Sequence, residues 1–116
     1  MKIVERVPPK WAILLEPGIT GSITATRSGD LVTLDIYNVA LPATSGYSQV
    51  LVGVLPPGLR ASQRAIGEIS KASSVAVKWT VRVEQNGIRL MRTSGGITEE
   101  GEVVLGQVTY RTNDPL

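Results

Sequence analysis

Between Val75 and Gln85 the chain alternates without a break. Val75, Val77, Trp79, Val81 and Val83 fall on one side, and Ala76, Lys78, Thr80, Arg82 and Glu84 on the other. A period of two places successive side chains on opposite faces of an extended backbone, so this stretch predicts a β-strand with one face buried. A strand cannot satisfy its own backbone N–H and C=O groups, so the rest of the chain must supply partners. Asn86-Gly87 follows at once, and this dipeptide tolerates the positive φ that a type I′ turn needs. The turn predicts a hairpin in which Glu84 faces Arg89 and Val83 faces Leu90. Glu84–Arg89 is then a surface cross-strand ion pair worth about 0.2–1 kcal/mol.

The same signals recur along the sequence. Gly21–Thr26 alternates, Ser28-Gly29-Asp30 reads as a turn, and Leu31–Val39 sets Val32, Leu34 and Ile36 against Thr33, Asp35 and Tyr37. Pro42–Gly46 is a loop. Gln49–Leu55 is apolar on both faces except at Gly53, which predicts a strand that is central in the sheet or covered by another subunit. Arg64–Ser70 is read as a strand, because Gly67 and the serines argue against a helix over Ala61–Ala72. Glu102–Thr112 forms the last strand, with Val104, Gly106, Val108 and Tyr110 on one face. About seven or eight short strands, with turn signals roughly every 8–12 residues, predict an all-β sandwich, jelly roll or barrel. Residues 1–10 are a lead-in arm or linker, and 11–116 form one domain large enough for a core.

Composition removes several chemistries. The sequence has no Cys and no His. Disulfides, thiolate metal sites and Ser-His or Cys-His nucleophiles within one chain are therefore excluded. With no Phe, the core must be aliphatic. The formal net charge is only +2, and the 12 basic residues include no run of three. No linear basic stripe marks a nucleic-acid partner, and only a stripe assembled across strands is left open. Glu5, Arg6 and two prolines interrupt any signal-peptide core, and no segment approaches the roughly 18 apolar residues of a membrane span. A soluble, intracellularly made protein, with no membrane insertion, is expected.

Few residues could carry chemistry, and each has a structural alternative. Trp79 lies among valines and is expected in the core. Trp11 either plugs the bottom of the sandwich or an inter-subunit seam, or contacts a ligand. Tyr47, in Thr44-Ser45-Gly46-Tyr47-Ser48, is a loop aromatic among small polar residues. Such a ring stacks on the C–H faces of sugars, and its hydroxyl hydrogen-bonds; the alternative is a tyrosine packed under its own loop. Tyr37 and Tyr110 sit in strands and are expected to be structural. Glu99-Glu100 and Glu102 are the one acidic cluster, which reads as a solvated turn rather than a hydrolytic pair, because adjacent carboxylates point apart. No Asp-x-Asp-x-Asp spacing supports a divalent metal. Met91 lies on the outward face with Arg82 and Arg89, which suggests that this face is covered.

The stretch Val50–Arg60, Val-Leu-Val-Gly-Val-Leu-Pro-Pro-Gly-Leu-Arg, is the most distinctive. An apolar strand runs into Pro56 and Pro57, which offer no N–H, and Gly58 permits the bend. Gly-Asp-Leu-Val-Thr-Leu-Asp-Ile lies upstream, and Val-Arg-Val-Glu-Gln-Asn-Gly-Ile-Arg-Leu downstream. This order resembles the C-terminal head domains of bacteriophage tail-fibre and receptor-binding proteins, across roughly residues 19–112. One departure is Ala61, where the family usually has Pro after the arginine.

The resemblance implies an antiparallel, jelly-roll-like β-sandwich in a homotrimer on the phage tail of the virion. It implies adhesion to a host cell-surface saccharide, such as a cell-wall polysaccharide or teichoic acid, without enzymatic chemistry or a cofactor. Other tail or baseplate proteins would be partners. Arg60, which closes the distinctive segment, and Tyr47 are expected at or near the receptor site, at a subunit boundary, with Trp11 as the next candidate. The alternatives are a structural virion protein without receptor specificity, in a baseplate or as a capsid decoration, and a carboxylate-dependent polysaccharide hydrolase.

Overall fold

The computed structural model describes residues 10–42, 49–93 and 102–115. Eight strands run through them: β1 (Lys10–Ala12), β2 (Thr20–Ser28), β3 (Leu31–Leu41), β4 (Gln49–Val54), β5 (Ala65–Lys71), β6 (Ser74–Glu84), β7 (Gly87–Arg92) and β8 (Glu102–Arg111). They form one antiparallel sheet in the order β1-β2-β3-β8-β5-β6-β7-β4. The all-β antiparallel expectation is borne out, and no helix of the described residues is long and apolar enough to cross a membrane.

The sheet folds over between β8 and β5, which share only the pairs Ser70↔Leu105 and Lys71↔Val104. One layer is β1-β2-β3-β8 and the other is β5-β6-β7-β4, a Greek key in which β4 returns beside β7. The layers meet closely at the fold. A Cβ on Gly106 would run into the side chain of Ile69, so only glycine lets β8 pass β5 there. At the opposite side, Leu15 bridges to Gly53, and Glu16 N donates to Val52 O at 2.9 Å. The two ends of the sheet are thereby brought together, which limits exposed edge.

The alternation seen in the sequence sets the core. Val32, Leu34 and Ile36 of β3, Trp79, Val81 and Val83 of β6, and Val104, Val108 and Tyr110 of β8 are all buried between the layers. Tyr37 faces outward beside the irregularity at Tyr37–Asn38 and is 59% exposed, so it has no structural role in the core.

Two expectations need correction. The strand Gln49–Leu55 is not central: β4 stands last in the sheet, pairs with β7 and meets only the Leu15 bridge on its other edge among the described residues. Its unbroken apolar run has a local cause. The register shifts between Leu51 and Gly53, and the segment after β1 lies over Gly53, with Ile13 and the Leu14 carbonyl so close that a side chain there would be cramped. The β6–β7 turn is also displaced by one residue. Glu84 pairs with Gly87 and Val83 with Ile88, so the two turn residues are Gln85 and Asn86, with φ of 48° at Gln85. This register sets Ile88 opposite Val83 and Leu90 opposite Val81, all buried, whereas the expected one would set Ile88 opposite exposed Gln85. Glu84 therefore pairs with Arg64 at 3.1 Å and Arg82 at 3.4 Å instead of Arg89.

Candidate functional site

The segment after β4 folds as its sequence dictates. Leu59 N donates to Pro56 O at 3.1 Å, closing a β-turn with Pro57 and Gly58 at its centre. Proline first and glycine second, the latter at φ 99°, is the type II arrangement. A side chain at Gly58 would be strained in that backbone conformation.

Three side chains distant in sequence pin this turn. Arg27, at the end of β2, is 7% exposed. Its Nη1 donates to Gly58 O at 2.6 Å, its Nη2 to Asp114 O at 2.6 Å and its Nε to Gly29 O at 2.8 Å. Tyr110 of β8 donates its hydroxyl hydrogen to Leu59 O at 2.6 Å. Burial, and then the charge of Asp114, push the Tyr110 phenol above its ordinary pKa. Asp114 follows β8 and completes the set. Its Oδ2 accepts from Gly58 N at 2.9 Å, Arg60 N at 3.0 Å and Arg60 Nε at 3.1 Å, and its Oδ1 accepts from Arg60 Nη2 at 3.0 Å.

The bonds from Arg60 are the main reason that the Asp114 carboxyl is lowered to about 2, with burial opposing and the two backbone N–H groups assisting. The same pair raises the Arg60 guanidinium. A two-pronged arginine–carboxylate contact fixes direction as well as charge. Arg60 remains half exposed, so one side of its planar fork stays open to solvent.

These groups wall a cleft of about 370 Å³. Trp11 of β1, Pro56 and Pro57 give it apolar surface, while Arg60 and Asp114 give it a donor and an acceptor. Trp11 is 37% exposed, so it is not a buried plug. A flat apolar face beside fixed polar groups suits a ligand with C–H faces and hydroxyls.

Of the residues singled out from the sequence, Trp11 and Arg60 line this one cleft. Tyr47 lies outside the described residues, as do Glu99 and Glu100. Glu102 is buried and structural: it accepts from Trp79 Nε1 at 2.9 Å and Arg92 Nε at 3.2 Å. Sequence reasoning missed Arg27 and Asp114. Arg27 carried a signal, because it continues the inward series Ile23, Ala25 with a charge, and a buried charge needs dedicated partners. Asp114, in a short Asn-Asp-Pro run after the last strand, carried none.

The fold is of the class found in phage receptor-binding head domains. The solved structure that establishes this is the head domain of phage bIL170, described among the receptor-binding domains of lactococcal phages. The two superpose with a TM-score of 0.76 over 90% of this chain and 98% of that one, at 14% identity. At that identity the likeness is one of fold. No protein-family model and no curated protein sequence matches the chain.

Proposed function

We propose that this chain is the receptor-binding head of a phage tail and adheres to a saccharide on the host surface through the Trp11–Arg60–Asp114 cleft. The observation that carries the reading is the meeting of Trp11 and Arg60, far apart in sequence, in one cleft of a fold shared with the phage bIL170 head domain. A sugar ring lies against Trp11 and the proline faces. Its hydroxyls donate to Asp114 and accept from the open side of Arg60. Because Arg27, Asp114 and Tyr110 already hold the turn, little conformational freedom is lost on binding. Binding alone serves adhesion, and no bond in the ligand need be broken.

One shallow cleft of this kind binds weakly. A homotrimer on the virion tail, joined to other tail or baseplate proteins, presents three clefts to a repeating polymer and gains avidity from their effective concentration. Tyr47 belongs to the same proposal as a loop aromatic near the cleft or at a subunit boundary.

The test is binding of fluorescently labelled protein to a panel of bacterial strains, with Trp11→Ala and Arg60→Ala compared after each is shown to be folded. Strain-selective labelling that both variants lose supports the reading. Labelling of no strain favours a structural virion protein, and release of reducing ends from wall polysaccharide favours a hydrolase.

A further inference from the structure

The cleft does not end at Arg60. Arg60 and Asp114 also line a neighbouring compartment of about 310 Å³, whose far wall is Ala61, Gln85 and Asn86. Those three residues in turn line a third compartment of about 410 Å³, which Arg64, Glu84 and Arg89 complete. The three compartments adjoin through these shared residues, in a row from Trp11 past Arg60 to the tip of the β6–β7 hairpin.

The far end of this groove is positively charged. Arg82 and Arg89 stand directly opposite each other on β6 and β7. Like charges in that position are unfavourable. Glu84 takes up Arg82 and Arg64, whereas Arg89 pairs with no carboxylate among the described residues. The compartment itself is lined by Arg64, Arg89 and Glu84, a surplus of one positive charge, and Arg82 stands across the strand pair from Arg89.

The backbone below is held firmly. Ala61 N donates to Gln85 O at 2.8 Å, which fixes the distance between the Pro56–Arg60 turn and the hairpin tip. Gln85 itself keeps a positive φ that glycine would adopt more easily. Strain retained on the floor of a polar groove, beside an unfavourable pair of arginines, is a combination that stability alone does not favour.

We infer that the Arg64–Arg89 compartment is a second subsite, which takes an oxyanion substituent, carboxylate or phosphate, on a saccharide chain long enough to reach from Trp11 to the hairpin tip. The inference rests on the reading of the Trp11–Arg60 cleft as a saccharide site. Guanidinium groups pair with either oxyanion through two parallel N–H···O bonds, and Gln85 and Asn86 supply neutral partners for the adjoining hydroxyls.

Titration of isotopically labelled protein with inorganic phosphate, and separately with glucuronate, tests the subsite by nuclear magnetic resonance. The expected result is a saturable shift of the Arg64 and Arg89 side-chain N–H signals and of the Gln85 and Asn86 amides, at least ten-fold weaker in Arg64→Gln/Arg89→Gln. The anion with the lower dissociation constant identifies the substituent. Should the double variant not fold, Arg89→Gln alone serves, since no ion pair among the described residues is lost with it. Shifts that do not saturate, or that persist unchanged in the variant, overturn the inference. The outcome is independent of adhesion: a localised, saturable shift in a protein that labels no cell leaves the anion subsite standing and removes the saccharide reading.

Discussion

Asp114 grips Arg60 on two prongs, Nε to Oδ2 at 3.1 Å and Nη2 to Oδ1 at 3.0 Å, and the same Oδ2 takes the backbone N–H groups of Gly58 and Arg60. One carboxylate therefore fixes both the guanidinium that faces the cleft and the turn that carries it. The Asp114 pKa lies at about 2 in the folded chain against an ordinary 3.8. A depressed pKa means that the folded state favours the ionised form, so the stabilisation is complete above the ordinary value and is lost as pH falls through the folded one. Asp114→Asn is expected to melt below the parent by a constant margin at pH 5–8. The margin should narrow between pH 4 and pH 2. A margin that does not change with pH would remove the carboxylate from this role.

The β6–β7 turn gives a second expectation. Gln85 has φ of 48°, and Gly87 is not among the positive-φ residues. Gln85→Gly should stabilise the chain by about 0.5 kcal/mol, the relief of a left-handed backbone partly offset by the freedom of glycine when unfolded. A Cβ at Gly87 would rest 3.6 Å from Leu51 Cδ1, an ordinary contact, so Gly87→Ala should change stability by less than about 0.5 kcal/mol. Urea denaturation of the two variants separates this turn from one centred on Asn86-Gly87, for which the order of effects is reversed.

Glu102 is a structural acid. Its Oε1 accepts from the buried Trp79 indole and from Arg92. Glu102→Ala leaves the indole N–H in the core without that acceptor, at a cost of about 2–3 kcal/mol, whereas Glu102→Gln, which can still accept, costs less. Denaturant midpoints of the two variants check the ranking, and equal losses would contradict it.

The proposed trimer predicts a mass in solution of about three chains, since closed rotational symmetry is the usual form of a homo-oligomer. Light scattering at micromolar concentration measures it. A monomer would remove the avidity on which adhesion through a shallow cleft depends.

Much of this architecture was legible because burial on one face writes a period of two into the sequence. The strands around Val32–Ile36, Trp79–Val83 and Val104–Tyr110 were readable on that ground, and the resemblance at Val50–Arg60 anticipated a fold shared with the phage bIL170 head domain. Sequence patterns fail where long-range contacts override local preference. Asn86-Gly87 is a strong local turn signal, yet the pairing of Ile88 with Val83 displaced the turn to Gln85-Asn86. Gln49–Leu55 resembled a central strand because the register shift between Leu51 and Gly53 breaks its alternation and leaves Val52 and Gly53 both buried, while Val54 stays 42% exposed. At the cleft, Trp11 and Arg60 could be named singly. Their meeting, and the grip of Asp114 on Arg60, come from tertiary contacts that no local pattern records.

The central claim is adhesion through the Trp11–Arg60 cleft, and the most direct measurement is equilibrium binding of labelled protein to cells of a strain that the parent labels. Trp11→Ala and Arg60→Ala, each folded and in the same oligomeric state as the parent, are expected to lose at least about ten-fold in apparent affinity, equivalent to about 1.4 kcal/mol for each. If both bind those cells as well as the parent does, the cleft is not the receptor site.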